Sequence, residues 1–169
     1  MNIPSRNTIL VLLLILLACA AGDAQHKRHH RLRAIKADVT EKKIKFSQVP
    51  QAVVDSFQSH FPGSTVQGQL RQTREKVVYY VIEAEDSVRD RSVVFEEDGR
   101  IVEVQESMEL AALPSALHDS VMVKYPSAVF RSAESITRDR HVEYDILMDV
   151  GKRKVEVIVN SAGKVFEVN

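Results

Sequence analysis

Residues 49–62 read VPQAVVDSFQSHFP and residues 113–126 read LPSALHDSVMVKYP, so one pattern recurs after 64 positions. Identical residues continue at this spacing with no insertion in either copy. The identical pairs include Arg74/Arg138, Tyr80/Tyr144, Gly99/Gly163 and Glu103/Glu167. A repeat of this length indicates two copies of one supersecondary unit.

The quoted segments each predict a helix of about three turns. Each begins with a proline, which is expected at the first helical position, and stops at a second proline. Val53, Phe57 and Phe61 recur at i, i+4 and i+8, which places them on one apolar stripe. Leu117, Val121 and Tyr125 hold the same places in the second copy. We expect both stripes to face a core.

After each helix the apolar period changes from helical spacing to two. Val78, Tyr80, Ile82 and Ala84 alternate with other residues, and the second copy repeats the alternation from Val142. Fainter strands are predicted at 66–73 and 130–137, and Gly99 and Gly163 are expected in hairpin turns. The predicted fold class is therefore α+β, with two tandem repeats that each contain one helix followed by a four-stranded antiparallel sheet.

The charge balance is neutral overall but strongly uneven along the chain. The 169 residues include 23 basic and 23 acidic side chains and are 44% hydrophobic, which suffices for a core. Residues 25–45 carry a net charge of +6, and the chain from Phe46 onward carries −6. A single Cys excludes an internal disulfide framework. The composition does not indicate a nucleic-acid-binding protein.

Residues 1–24 are predicted to be a signal peptide, because residues 9–21 form an apolar run too short to span a bilayer comfortably. Cleavage after Ala24 competes with lipidation of Cys19, since residues 16–19 resemble a bacterial lipobox. Basic residues beyond the run also leave an uncleaved anchor of reversed orientation open. Export to the periplasm or cell envelope is the expected localisation.

Residues 25–45 are predicted to be a basic arm, either a mobile linker or a marginal helix. His26, His29 and His30 are weak candidates for metal ligands, because no Cys or well-spaced carboxylate accompanies them. A solvated basic tail explains them more simply, so no metal site and no cofactor are expected. The arm could contact anionic lipid, but it has no aromatic residue to stack on bases, and no nucleic-acid partner is expected.

The helix and strand motifs together resemble the PepSY-like family, which is also described as similar to the β-lactamase inhibitor protein. The resemblance covers residues 46–169, divided into one repeat at 46–110 and a second at 111–169. It rests on the proline-bounded helix, the strand VVYYVIEAE and the closing hairpin SVVFEEDGRIVEV. It implies a small exported or lipid-anchored protein whose sheet contacts a protein partner, and we expect a monomer.

No catalytic motif is present in the sequence. Asp55 and Asp119 occupy equivalent helix positions, which a solvent-facing helix surface explains, and His60, His118 and His141 have no counterparts in the other copy. Tyr79 and its counterpart Glu143 should project from the face opposite the apolar stripe, and they are the candidate binding residues. We therefore expect a non-enzymatic binding or inhibitor-like module for an envelope protein or peptide. A metal- or ligand-binding protein that uses the histidine-rich arm is the alternative.

Overall fold

A computed structural model describes residues 39–168, which form nine strands and two α-helices joined by short turns. The elements in chain order are β1 (Val39–Lys43), α1 (Gln51–His60), β2 (Thr65–Arg74), β3 (Val77–Glu85), β4 (Asp90–Phe95), β5 (Ile101–Met108), α2 (Ser115–Lys124), β6 (Ala128–Arg138), β7 (His141–Val150), β8 (Arg153–Asn160) and β9 (Val165–Glu167). Short 3-10 turns at Phe46–Gln48 and Leu110–Ala112 precede the two helices.

All nine strands belong to one antiparallel sheet, in which the spatial order equals the chain order. The predicted fold class, two repeats that each carry their own four-stranded sheet, is therefore wrong. The strands on either side of α2 pair directly, with Val104 opposite Thr137 and Met108 opposite Ala133. Two separate sheets would leave these backbone groups as open edges, whereas pairing β5 with β6 satisfies them.

Each helix begins directly after the first proline of its segment and ends two residues before the second. Pro50 and Pro114 precede the first helical residue rather than occupying it, and their carbonyl oxygens accept the first helical hydrogen bonds. Val53 and Phe57 are buried along the α1 stripe, and Phe61 is half-buried where the helix ends. In the second copy all three predicted stripe residues are buried. The helical period therefore predicted the buried side of each helix correctly.

Both helices pack on the same face of the sheet. The core under α1 includes Ile82, Val93 and Phe95, and the core under α2 includes Ile146 and Val157. The register connects the two cores, because Val104 lies opposite Thr137 and Thr137 lies opposite Val142. Cross-strand partners share a face, so the other side of the sheet carries neither helix. We call it the helix-free face.

The end of the predicted arm is a strand. Residues 39–43 form β1 against β2, with Val39 opposite Arg74 and Lys43 opposite Leu70. The expectation of a linker or marginal helix is wrong for this part, because β2 offers unpaired backbone groups that an extended segment can satisfy. No helix within residues 39–168 is long and apolar enough to cross a membrane.

Candidate functional site

Two tight hairpin turns lie beside the candidate site. Glu75 and Lys76 join β2 to β3, Asp139 and Arg140 join β6 to β7, and all four have positive φ. Two consecutive residues of positive φ suit the right-handed twist of a two-residue hairpin, although side chains other than glycine adopt this conformation at a cost.

The strand before each turn ends in an arginine, Arg74 in β2 and Arg138 in β6, and both side chains reach Glu103. Arg138 Nε donates to Glu103 Oε2 over 2.6 Å, and Arg74 Nη1 lies 3.7 Å from the same oxygen. Gln105 Nε2 donates to the other carboxylate oxygen over 3.0 Å. The Glu103 side chain is only 2% exposed, and a carboxylate so deeply buried requires partners of this kind.

The two residues that the sequence singled out lie at opposite ends of this arrangement. The Arg74 guanidinium lies 5.3 Å from the centre of the Tyr79 ring, which is a cation–π distance. Arg138 Nη1 donates to Glu143 Oε2 over 2.8 Å. Tyr79 and Glu143 are therefore joined through two arginines and one buried glutamate. We call Arg74, Tyr79, Glu103, Arg138 and Glu143 the arginine–glutamate network.

The network continues to the edge of the sheet. Gln72 accepts a hydrogen bond from Arg74 Nε, and its own Nε2 donates to Glu41 Oε1 over 2.7 Å. Gln72 is fully buried, although it lies on the helix-free face opposite Tyr79. Polar contacts thus run from β1 to β7 along one end of this face.

The network is buried at its centre and accessible at its ends. Glu103 is hidden, whereas 44% of the Arg138 side chain, 34% of Glu143 and 23% of Arg74 are exposed. Tyr79 is half-buried, and Val77 beside it is exposed. A partner can therefore reach guanidinium, carboxylate and aromatic groups that are already held in place, which reduces the entropy lost on binding.

The sequence analysis missed three members of the network: Arg74, Glu103 and Arg138. A signal was present, because Arg74/Arg138 is one of the identical pairs. The repeat could not identify Glu103 as the common partner of the two arginines, because Glu103 and its equivalent Glu167 have different partners in the structure. Glu167 instead accepts a hydrogen bond from the Tyr125 hydroxyl over 2.8 Å.

The loop between β3 and β4, at the end of the sheet opposite the two hairpin turns, contains Asp86, whose carboxyl has a lowered pKa. Backbone N–H groups of Val88 and Arg89 donate to Asp86, which lowers the pKa of its carboxyl below the usual 3.8, and the charge of Arg91 acts in the same direction. Arg131 similarly lowers the pKa of Asp149. These acids form ion pairs that stabilise the ionised carboxylates.

The other candidate residues do not converge on a reaction centre. Asp55 and Asp119 are exposed on the helices, where Asp55 accepts a hydrogen bond from Gln51. His118 stacks on Phe130 with ring centres 4.8 Å apart. Within residues 39–168 no cluster of His, Cys, Asp and Glu could hold a metal ion. Cys19, His26, His29 and His30 lie outside the described residues, as do Ala24 and the predicted signal peptide.

No family model and no curated protein matches the chain. Several solved structures, in contrast, have a similar fold. The chain resembles a BLIP-like protein from Bacteroides fragilis NCTC 9343, at 21% identity and a TM-score of 0.54, over 70% of this chain and 85% of that one. It also resembles a candidate periplasmic protein from Bacteroides eggerthii DSM 20697, at 18% identity and a TM-score of 0.59, over 72% and 88%. A DUF2874 family protein from Bacteroides uniformis ATCC 8492 matches at 14% identity and a TM-score of 0.56, over 69% and 86%.

The chain has a BLIP-like fold. At the level of the fold, this confirms the predicted resemblance to the β-lactamase inhibitor protein, whereas membership of the PepSY-like family stays a prediction. At these identities the likeness concerns the arrangement of helices and strands and carries no information about a partner.

Proposed function

We propose that this protein is an exported, non-enzymatic binding module that holds a cell-envelope protein or peptide against its helix-free face. The observation that carries the proposal is the arginine–glutamate network. It places Tyr79, Arg138 and Glu143 at the accessible ends of a charged cluster whose centre is buried.

The chemistry of the network suits recognition. Arginine and tyrosine, together with tryptophan, are enriched where binding energy concentrates in protein interfaces. Arg138 is held by Glu103 on one side and by Glu143 on the other, so its guanidinium is positioned before a partner arrives. The network acids are engaged by guanidinium groups, an arrangement that favours charge complementarity over proton transfer.

Two further observations support an exported module. The predicted signal peptide at residues 1–24 implies export, and one similar structure is a candidate periplasmic protein while another is a BLIP-like protein. Mass measurement of the N-terminus of the purified protein distinguishes cleavage before Gln25 from a lipidated Cys19.

Substitutions on the helix-free face test the proposal. The protein is tagged, expressed in its own organism and used to capture partners from the cell envelope, in parallel with Glu143→Lys and Tyr79→Ala. Asp119→Lys is the matched control, because Asp119 is 78% exposed on α2, on the other side of the sheet. We expect one partner to be captured by the parent and the control and lost in both face variants.

Melting temperatures measured on the same four proteins separate lost binding from lost folding. The proposal is refuted if the face variants melt normally and still capture the partner. It is also refuted if Asp119→Lys removes the partner as completely as Glu143→Lys does, because the contact would then lie on the helical side.

A further inference from the structure

The outer edge of β1 is a second surface with a defined chemistry. The strand lies at one end of the sheet and pairs only with β2 among residues 39–168. Alternate residues among its five therefore direct backbone N–H and C=O groups away from β2, where no strand of the described part of the chain satisfies them. The opposite edge is formed by β9, which has only three residues. The longer edge at β1 is the better template for an added strand.

The side chains around this edge are cationic. Lys42, Lys43 and Lys45 are all exposed, and Lys42 lies directly opposite the exposed Arg71 of β2. Like charges at directly opposed positions destabilise a strand pair. Within residues 39–168 no ion pair is formed by these four side chains, and the one nearby acid on the strand, Glu41, is bound by Gln72.

The charge decides which strand this edge can accept. A second copy that paired through the same edge would bring a second set of lysines against the first, and lysines on edge strands oppose such association. An extended segment that carries acidic side chains would instead compensate Lys42 and Lys43. Because adjacent strand residues point to opposite faces, two neighbouring acids are needed to reach both lysines.

We propose that the β1 edge binds an extended acidic segment of a partner protein as a tenth strand of the sheet. Backbone hydrogen bonds to the edge supply the attachment, and a pair of adjacent Asp or Glu residues opposite Lys42 and Lys43 supplies the selectivity. Lys42 and Lys43 are not members of the arginine–glutamate network, although Glu41 of β1 is bound by Gln72, which lies next to it. The β1 site therefore goes beyond the proposed function, and its test does not depend on that function.

Binding of a synthetic peptide tests the proposal. The probe is a nine-residue threonine peptide with two adjacent pairs of glutamates. One control peptide is N-methylated at alternate residues, which removes strand pairing, and another has lysine in place of glutamate. The protein is expressed with its own leader, labelled with nitrogen-15 and titrated while the amide resonances of β1 and of the other edge are followed.

We expect the glutamate peptide to shift the β1 amides and slow their hydrogen exchange, and neither control peptide to do so. The double variant Lys42→Glu/Lys43→Glu should weaken binding about tenfold or more, and 0.5 M salt should weaken it in the parent. The control Lys152→Glu/Lys154→Glu, which reverses two exposed lysines near the other end of the sheet, should bind as the parent does.

Three results would overturn the proposal. The N-methylated peptide could bind as well as its parent, which would reduce the site to a charge attraction. The shifts could map to β9 or to the helix-free face. Light scattering could also show that two copies associate through β1, so that the edge is already occupied by the protein itself.

Discussion

Replacing Arg138 with Met should destabilise the protein through the carboxylate that the change leaves behind. Among the contacts to Glu103 described above, the one from Arg138 Nε is the shortest, at 2.6 Å. Methionine keeps most of the side-chain volume but removes the charge. The Glu103 side chain is only 2% exposed, so its carboxylate is largely shielded from water.

The expected cost follows from what remains around the carboxylate. Removing one partner of a buried ion pair costs about 3–5 kcal/mol when the remaining charge is uncompensated. Here Arg74 stays 3.7 Å away and Gln105 still donates over 3.0 Å, while Arg138 itself was 44% exposed. We therefore expect a loss of about 2–3 kcal/mol in the free energy of unfolding.

Urea unfolding followed by far-ultraviolet circular dichroism measures this loss. Urea is preferred to guanidinium, because guanidinium is a salt that screens the ion pair itself. The matched control is Arg140→Met, an exposed arginine in the adjacent turn. A second variant, Arg138→Met/Glu103→Gln, removes the uncompensated charge and should recover at least about 1 kcal/mol.

The reasoning fails if Arg138→Met unfolds at the same urea concentration as Arg140→Met. It also fails if the added Glu103→Gln change destabilises the protein further, because Glu103 would then not be held by charge compensation. In either case the network would be a set of surface contacts, and its role as a preorganised binding site would lose its physical basis.

Four further changes give separate predictions. Gly99→Ala should cost about 2–4 kcal/mol in urea unfolding, since φ is +88° and the new Cβ would lie 2.4 Å from the Ala52 carbonyl oxygen. Gly151→Ala should cost only about 1–2 kcal/mol, because no atom lies within 4 Å of that Cβ. Lys76→Gly should raise the stability by about 1 kcal/mol in thermal unfolding, because glycine adopts its φ of +70° without strain. Asp86→Asn should reduce the loss of stability below about pH 4, since a lowered pKa contributes stability at neutral pH that disappears as the carboxylate is protonated.

Each of these predictions has a result that contradicts it. Equal costs for Gly99→Ala and Gly151→Ala would show that the β4–β5 turn does not pack against the α1 backbone. A destabilised Lys76→Gly would mean that the lysine side chain makes contacts that outweigh the backbone strain. If the stability of the parent and of Asp86→Asn falls in parallel as the pH is lowered, Asp86 does not contribute to the loss of stability in acid.

Most local elements of this fold could be predicted because they leave a period in the sequence, whereas β1 leaves none and was missed. Val53 and Phe57 recur at helical spacing and are buried in α1. Tyr80, Ile82 and Ala84 line the core under α1 as expected, although Val81 is buried as well, on the other face of the sheet. The same alternation placed Tyr79 on the face opposite the apolar stripe, where the structure has it. The network around Tyr79 could not be predicted, because the periodicity of a sequence does not indicate which distant acid an arginine pairs with.

The sequence by itself determined the buried side of each helix, since burial along a regular element repeats with the geometry of that element. It did not determine that strands such as β4 are buried on both faces. Only the tertiary structure decided that β5 pairs with β6, that residues 39–43 add a ninth strand, and that Arg74 and Arg138 share Glu103. The physical reason is that strand pairing and charge compensation join groups far apart in the chain. Backbone hydrogen bonds are the same for every sequence, so their partners are chosen by the packing of the whole sheet.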